Sequence, residues 1–300
     1  MKSLRFLKKR IKSIKNTEKI TNALEMVSIS KMKKFQTFAI QSKEYAMEVE
    51  RLASLISGLY KRDEDLLSEP IAKNYFESRS DDSPICLIVI GPTRGFCGSL
   101  INDMLIKLNK ELDKSKHYMG IGLQKKSWYL MSKFSNIKIE LLFEKAVESP
   151  TFNSIEAPFE YILKNYFAGK YAKILLYYME FISSFNYKPT LKQLLPLNYD
   201  NFLSKSAQVQ KSGGNLNNYL IEPNINVVFK QVANRYLQTM FLYSFISSKA
   251  SEHNARMIAM KNATDNAKQL RNILNLQYNK SRQESITTEL LDIIGGTMNK

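Results

Sequence analysis

The chain has 300 residues, 44 of them Lys or Arg against 28 Asp or Glu, for a formal net charge of +16. A hydrophobic share of 44% supplies a substantial core and excludes a disordered basic tail. Two cysteines, Cys86 and Cys97, and two histidines, His117 and His253, are too few for a disulfide framework, a Cys-rich zinc module or a His-centred metal site.

The charge is concentrated at the ends. Residues 1–40 hold 11 basic and 2 acidic side chains and residues 230–300 hold 10 and 5, leaving the stretch between them nearly neutral. Only 10 of the basic residues are Arg, whereas base readout in the major groove leans on bidentate Arg. A nucleic-acid role therefore rests on Lys–phosphate attraction alone. The longest apolar runs, Ile85–Ile90 and Met240–Ile246, fall far short of the ~20 residues that cross a bilayer. The basic start lacks the apolar region of a secretory signal, which points to the cytoplasm.

Neither Gly nor Pro occurs from Met1 to Ser57, or again from Asn224 to Ile294, so both ends can run as uninterrupted helix. Leu4, Leu7, Ile11 and Ile14 step by threes and fours, as a coiled-coil seam does. The apolar pattern breaks at Lys15–Lys19 and resumes at Ile20, Leu24 and Val27. In the second run, Phe229, Val232, Tyr236, Met240, Tyr243, Ile246 and Ala250 advance the same way. Leu270, Leu274, Ile286, Leu290 and Ile293 extend it to an expected stop at Gly295-Gly296. The final segment, 281–294, outreaches anything the shorter first helix could cover.

Between these helices, a charged linker over 61–84, holding Asp63, Glu64 and Asp65, leads into a buried strand at 85–90. Further strands are expected at Met119–Leu123, Ile137–Phe143 and Lys173–Ile182, with helical stretches at 100–112, 125–134 and 153–168. The alternation predicts a small α/β domain with a mainly parallel sheet, inserted between the two helices. Ser212–Asn218 reads as a polar loop before the second helix.

Chemistry-bearing motifs are scarce. Gly91-Pro-Thr-Arg-Gly-Phe-Cys-Gly98 follows a strand and precedes a helix, but its spacing fits neither the dinucleotide fingerprint nor the P-loop. A tight strand–helix turn accounts for it better. Cys97 has no nearby base, Cys86 sits in an apolar strand, and His253 reads as a surface or seam residue. No catalytic constellation, cofactor site or metal site assembles.

Long runs of the chain resemble one family. Ala250-Ser-Glu-His-Asn-Ala-Arg-Met-Ile-Ala-Met-Lys-Asn-Ala-Thr-Asp-Asn-Ala267 and the run Tyr278–Gly296 are similar to the C-terminal signature of the gamma subunits of F-type ATP synthases. Arg10–Val27 and Ser30–Lys33 resemble that family's N-terminal helix, and Pro189–Leu197 and Tyr219–Pro223 resemble its central segments. The resemblance implies a long antiparallel coiled coil of the two terminal helices, 1–60 and 224–300, with an inserted Rossmann-like α/β domain at 85–198 and a loop and foot at 199–223. It implies a non-catalytic rotor shaft without cofactor, turning within three alpha and three beta subunits at the cytoplasmic face of the cell membrane. Arg282, Gln283 and Thr287, with Leu24, Lys31, Lys33 and Lys34, match positions that contact the beta subunits. Leu290, Ile293 and Ile294 match the apolar tip in its bearing. Tyr219, Ile221 and Glu222 match the foot, which faces the epsilon subunit and the membrane c-ring.

Two places depart from the family pattern: Thr93 stands where Asp is usual before Arg-Gly, and Ile101 where Asn is usual. They leave open a paralogous F1-like ATPase that drives another membrane-associated or motility machine. A basic coiled-coil protein that binds nucleic acid is the remaining alternative.

Overall fold

The computed structural model describes residues 4–62, 70–77, 83–144, 151–183, 186–198 and 221–298. Asp63, Glu64, Asp65, the Ser212–Asn218 loop and Tyr219 lie outside the described residues. The chain divides into two compact units. One comprises Met1–Ser30, Phe96–Gly98 and Asn254–Lys300; the other comprises Lys31–Gly95 and Ser99–His253. Two long helices, α1 (Leu4–Arg62) and α6 (Ile225–Met298), contribute to both.

The first unit is built on an antiparallel pair of helix segments. The Thr264 hydroxyl donates to Thr21 Oγ1 at 2.9 Å, and Arg271 donates to Glu18 at 2.5 Å, so α6 ascends in number as α1 descends. The covered positions of α1 include Leu4, Leu7, Ile11, Ile14, Glu18, Thr21, Glu25 and Ser28, an unbroken alternation of threes and fours, with Leu24, an expected seam residue, and Ile29 half-buried beside it. This corrects the expected interruption. The seam keeps its register through Lys15–Lys19 by using polar side chains, and Ile20 and Val27, read as seam residues, are exposed. Facing them, α6 covers Met260, Thr264, Ala267, Arg271, Leu274, Tyr278, Ser281 and Ser285 in the same rhythm.

The second unit carries a five-stranded sheet of order β3-β2-β1-β4-β5. Its strands are β1 (Ile85–Ile90), β2 (Tyr118–Leu123), β3 (Ile137–Phe143), β4 (Ile174–Ser183) and β5 (Asn186–Leu195). The first four are parallel, and β5 returns antiparallel along β4. β1 is buried at every position, as a central parallel strand must be. The order 3-2-1-4 is that of a Rossmann-like sheet. β5 has no counterpart among the expected strands; it carries Pro189, and an edge strand tolerates the missing donor.

Connecting helices are α3 (Leu100–Glu111), α4 (Ser127–Met131) and α5 (Phe152–Phe167). Within the segment read as a linker, Pro70–Phe76 forms α2. The core of this unit is α6 itself: every residue from Thr239 to Glu252 is buried, so here the helix is covered on all sides. Phe241 and Phe245 are among its fully buried side chains. At its far end, α6 continues through Gly295-Gly296 to Met298, against the expected stop. Glycine disfavours helix by only about 1 kcal/mol and does not forbid it.

Candidate functional site

The carboxyl end of β1, where open α/β sheets bind ligands, is occupied by the chain's own groups. A Cβ on Gly91 would meet the Ser127 backbone nitrogen at 2.5 Å, so this glycine lets the start of α4 pass against the turn. The Thr93 hydroxyl lies 2.5 Å from Gln124 Oε1 and 3.5 Å from Glu252 Oε2, and it also accepts from the Lys249 ammonium. Lys249 and Glu252, both buried, pair at 3.2 Å. The glycine loop is thus a packed turn anchored to α6. Thr93, a departure from the family pattern, is part of that internal anchorage.

A cleft of about 450 Å³ opens at the amino ends of β1, β2 and β4, lined by Ser83, Ser115, Lys116, His117 and Lys173. Among the described residues, no group of three or more His, Cys, Asp or Glu is placed to hold a metal ion. His253 stacks on Phe35, with ring centroids 5.4 Å apart. Cys86 is enclosed in β1, where burial pushes its thiol far above the ordinary value.

A second polar cluster sits at the β3 edge. Register slips between Gly120 and Ile121, leaving Glu140 as the extra residue of a β-bulge. Its carboxylate accepts from Tyr161 at 2.6 Å, from Tyr171 at 2.9 Å and from the Lys170 ammonium. Burial by itself would raise the Glu140 carboxyl, but the donors, Lys170 foremost, hold it below its ordinary value. Burial and the same carboxylate push the Tyr171 hydroxyl up.

Of the described residues singled out by the sequence, all but Leu24, Ile221 and Glu222 fall on exposed helix surface. In the first unit, Arg282, Gln283 and Thr287 are exposed on α6, and Leu24 is half-buried on α1. Leu24 lies near the level of Thr264, which puts it about 27 Å along the helix axis from Arg282, so these residues form two patches. Beyond Ser285, α6 is exposed on every side as far as Ile294. Ile286, Leu290, Leu291, Ile293 and Ile294 all face out. In the second unit, Lys31, Lys33 and Lys34 are exposed on α1, and the Lys34 ammonium lies 5.8 Å from the centroid of the Phe38 ring. Ile221 is half-buried and Glu222 exposed just before α6.

A pair of long helices, one outrunning the other with an exposed apolar end, and a sheet of Rossmann-like order set what a relative must share. A family profile described as ATP synthase matches residues 3–298. The ATP synthase gamma chain of Chloroflexus aurantiacus is 31% identical over 302 residues, covering 99% of this chain and 98% of its own. The chain belongs to the ATP synthase gamma-chain family. The gamma chain of Variovorax paradoxus is 32% identical, over 96% of this chain and 94% of its own. Among solved structures, a chain of the Euglena gracilis mitochondrial ATP synthase (OSCP/F1/c-ring, rotational state 3) shares the fold. It has a TM-score of 0.63 at 18% identity, over 98% of this chain and 93% of that one. A chain from the central stalk and c-ring of the Tetrahymena thermophila mitochondrial ATP synthase gives 0.56 at 20% identity, over 81% and 99%.

For a gamma-chain family member, the polar groups on α6 are the residues the sequence reading passed over. Ser247, Ser248, Lys249, Ser251 and Glu252 are all buried. Their signal was a Lys and a Glu three apart on a helix whose apolar and serine positions leave little solvent-facing polar surface, which is costly unless both are paired.

Proposed function

We propose that this chain is the central rotor stalk of an F-type ATP synthase, coupling its own rotation to the catalytic cycle of the beta subunits. The observation that carries the reading is the bare end of α6, with Ile286, Leu290, Leu291, Ile293 and Ile294 exposed on a single helix. So much apolar surface on one helix calls for an enclosing partner. A surface without fixed hydrogen bonds can turn inside such a partner while breaking few specific contacts. The complex is peripheral to the membrane, at the cytoplasmic face of the cell membrane. Among the described residues, no helix is long and apolar enough to cross the membrane.

The partners are three alpha and three beta subunits, with the epsilon subunit and the membrane c-ring at the other end. Arg282, Gln283 and Thr287, and separately Leu24 with Lys31, Lys33 and Lys34, meet the beta subunits. Their long, solvated cations attract acidic levers over a range of angles, because Coulomb forces tolerate changing geometry. Leu290, Ile293 and Ile294 form the bearing tip, and Tyr219, Ile221 and Glu222 belong to the foot. Purification of the native complex through a tag on this chain tests the reading: alpha, beta, epsilon and c subunits are expected together, and their absence overturns it.

A further inference from the structure

β4 is longer than the strand beside it. β1 pairs with it only as far as Tyr177, and beyond that point β5 pairs along its other edge. On the β1 side, α6 takes the place of the strand. The Met179 backbone N–H donates to Ser248 Oγ at 3.0 Å, and the Phe181 N–H donates to Ser247 Oγ at 2.7 Å. The Ser251 hydroxyl lies 2.9 Å from its own helix's Ser247 carbonyl and 3.4 Å from the Met179 carbonyl. All three serines are buried.

Helices in packed interfaces can ratchet past a neighbour by one turn, because one row of apolar side chains resembles the next. Hydroxyls aimed at alternate amides of a strand cannot. A shift of one residue puts one serine in the other's place and leaves the second of the two N–H groups buried without an acceptor, and a buried amide that loses its acceptor bears most of its desolvation cost. We infer that Ser247 and Ser248 key α6 to the sheet, so that torque carried by this helix passes into the α/β unit without slip. The inference rests on the rotor reading above and makes these serines positioning residues for coupling; the chemistry remains in the beta subunits.

The test uses the Ser247→Ala/Ser248→Ala chain assembled into the whole complex in inverted membrane vesicles. Three quantities are read: recovery of alpha and beta subunits with the chain, ATP hydrolysis, and ions transported per ATP hydrolysed. Recovery is expected to hold and hydrolysis to stay within about twofold, while ions per ATP fall by at least about tenfold, the weight of either lost acceptor taken alone. In the isolated full chain, amide exchange at Met179 and Phe181 is expected to quicken about tenfold, with Tyr177 still protected. An unchanged ratio overturns the proposal, whether nothing moves or recovery and hydrolysis fall together. A wild-type chain that recovers no alpha or beta subunits overturns the rotor reading and this inference with it. Unaltered exchange at the two amides overturns the clasp alone.

Discussion

Glu140 shows how much one side chain holds at an edge. The bulge in β3 turns it toward Tyr161, Tyr171 and Lys170, so one carboxylate ties the strand to α5 and to the start of β4. Its side chain is 11% exposed and that of Lys170 is 41% exposed, so solvent screens the ion pair in part while the tyrosine bonds are more enclosed. Glu140→Gln keeps the shape and removes the charge; it is expected to destabilise the chain by about 1–3 kcal/mol in denaturant titration at pH 7. The sign with pH follows from the direction of the shift. A carboxyl held below its ordinary value stabilises the fold above that value, and the contribution is lost as pH falls through the folded one. The wild type should therefore lose more stability than Glu140→Gln between neutral pH and pH 3, and equal losses would contradict this account. The buried Lys249–Glu252 pair makes a sharper case. Lys249→Met takes the ammonium from beside a buried carboxylate and should cost about 3–5 kcal/mol, measured the same way. Neither network was legible beforehand: a bulge depends on how two strands meet, and a buried ion pair on what closes over it.

At the scale of the element, the two long helices were legible in the absence of Gly and Pro over Met1–Ser57 and Asn224–Ile294. β1 to β4 were legible in their apolar runs, with ends within a residue or so of those observed. The seam was harder. A search for apolar spacing finds the half-buried Leu24 but skips Glu18, Thr21, Glu25 and Ser28, which α1 also covers. Polar seam residues cost stability and in return specify register. Thr21 and Thr264 are where this can be measured. Thr21→Val alone should cost roughly 1 kcal/mol, while Thr21→Val with Thr264→Val should return close to wild-type stability, since both polar partners are then gone. A double-mutant cycle reads the difference, and strict additivity would mean that the pair contributes nothing to the seam. β5 was not among the expected strands: its polar and proline-bearing sequence, Asn186–Leu195, lacks the apolar run that marks β1 to β4, and its edge position allows both.

For the whole molecule, the charge that first suggested nucleic acid lies on the two helices, and the stretch between them is nearly neutral. Arg282 is exposed, so Arg282→Glu should leave the melting temperature of the isolated chain unchanged. In the assembled complex it should lower coupled ATP hydrolysis on the order of tenfold, equivalent to ~1.4 kcal/mol. Deleting the chain from Leu290 onward should cost less than that, because an apolar bearing has few specific contacts to lose; the reverse ranking in the same assay would contradict it. The surface patches could be named in the sequence only through resemblance, since no periodicity says which exposed cation meets a partner.

Rotation is the central claim, and it can be watched directly. Cys86 and Cys97 are both buried, so a cysteine placed at exposed Ala157 on α5 offers a selective thiol for a visible marker. With the alpha and beta subunits fixed to a surface and ATP added, the marker on Ala157→Cys is expected to turn in one direction, in three steps per revolution. A marker that stays still while the same complexes hydrolyse ATP would contradict the account.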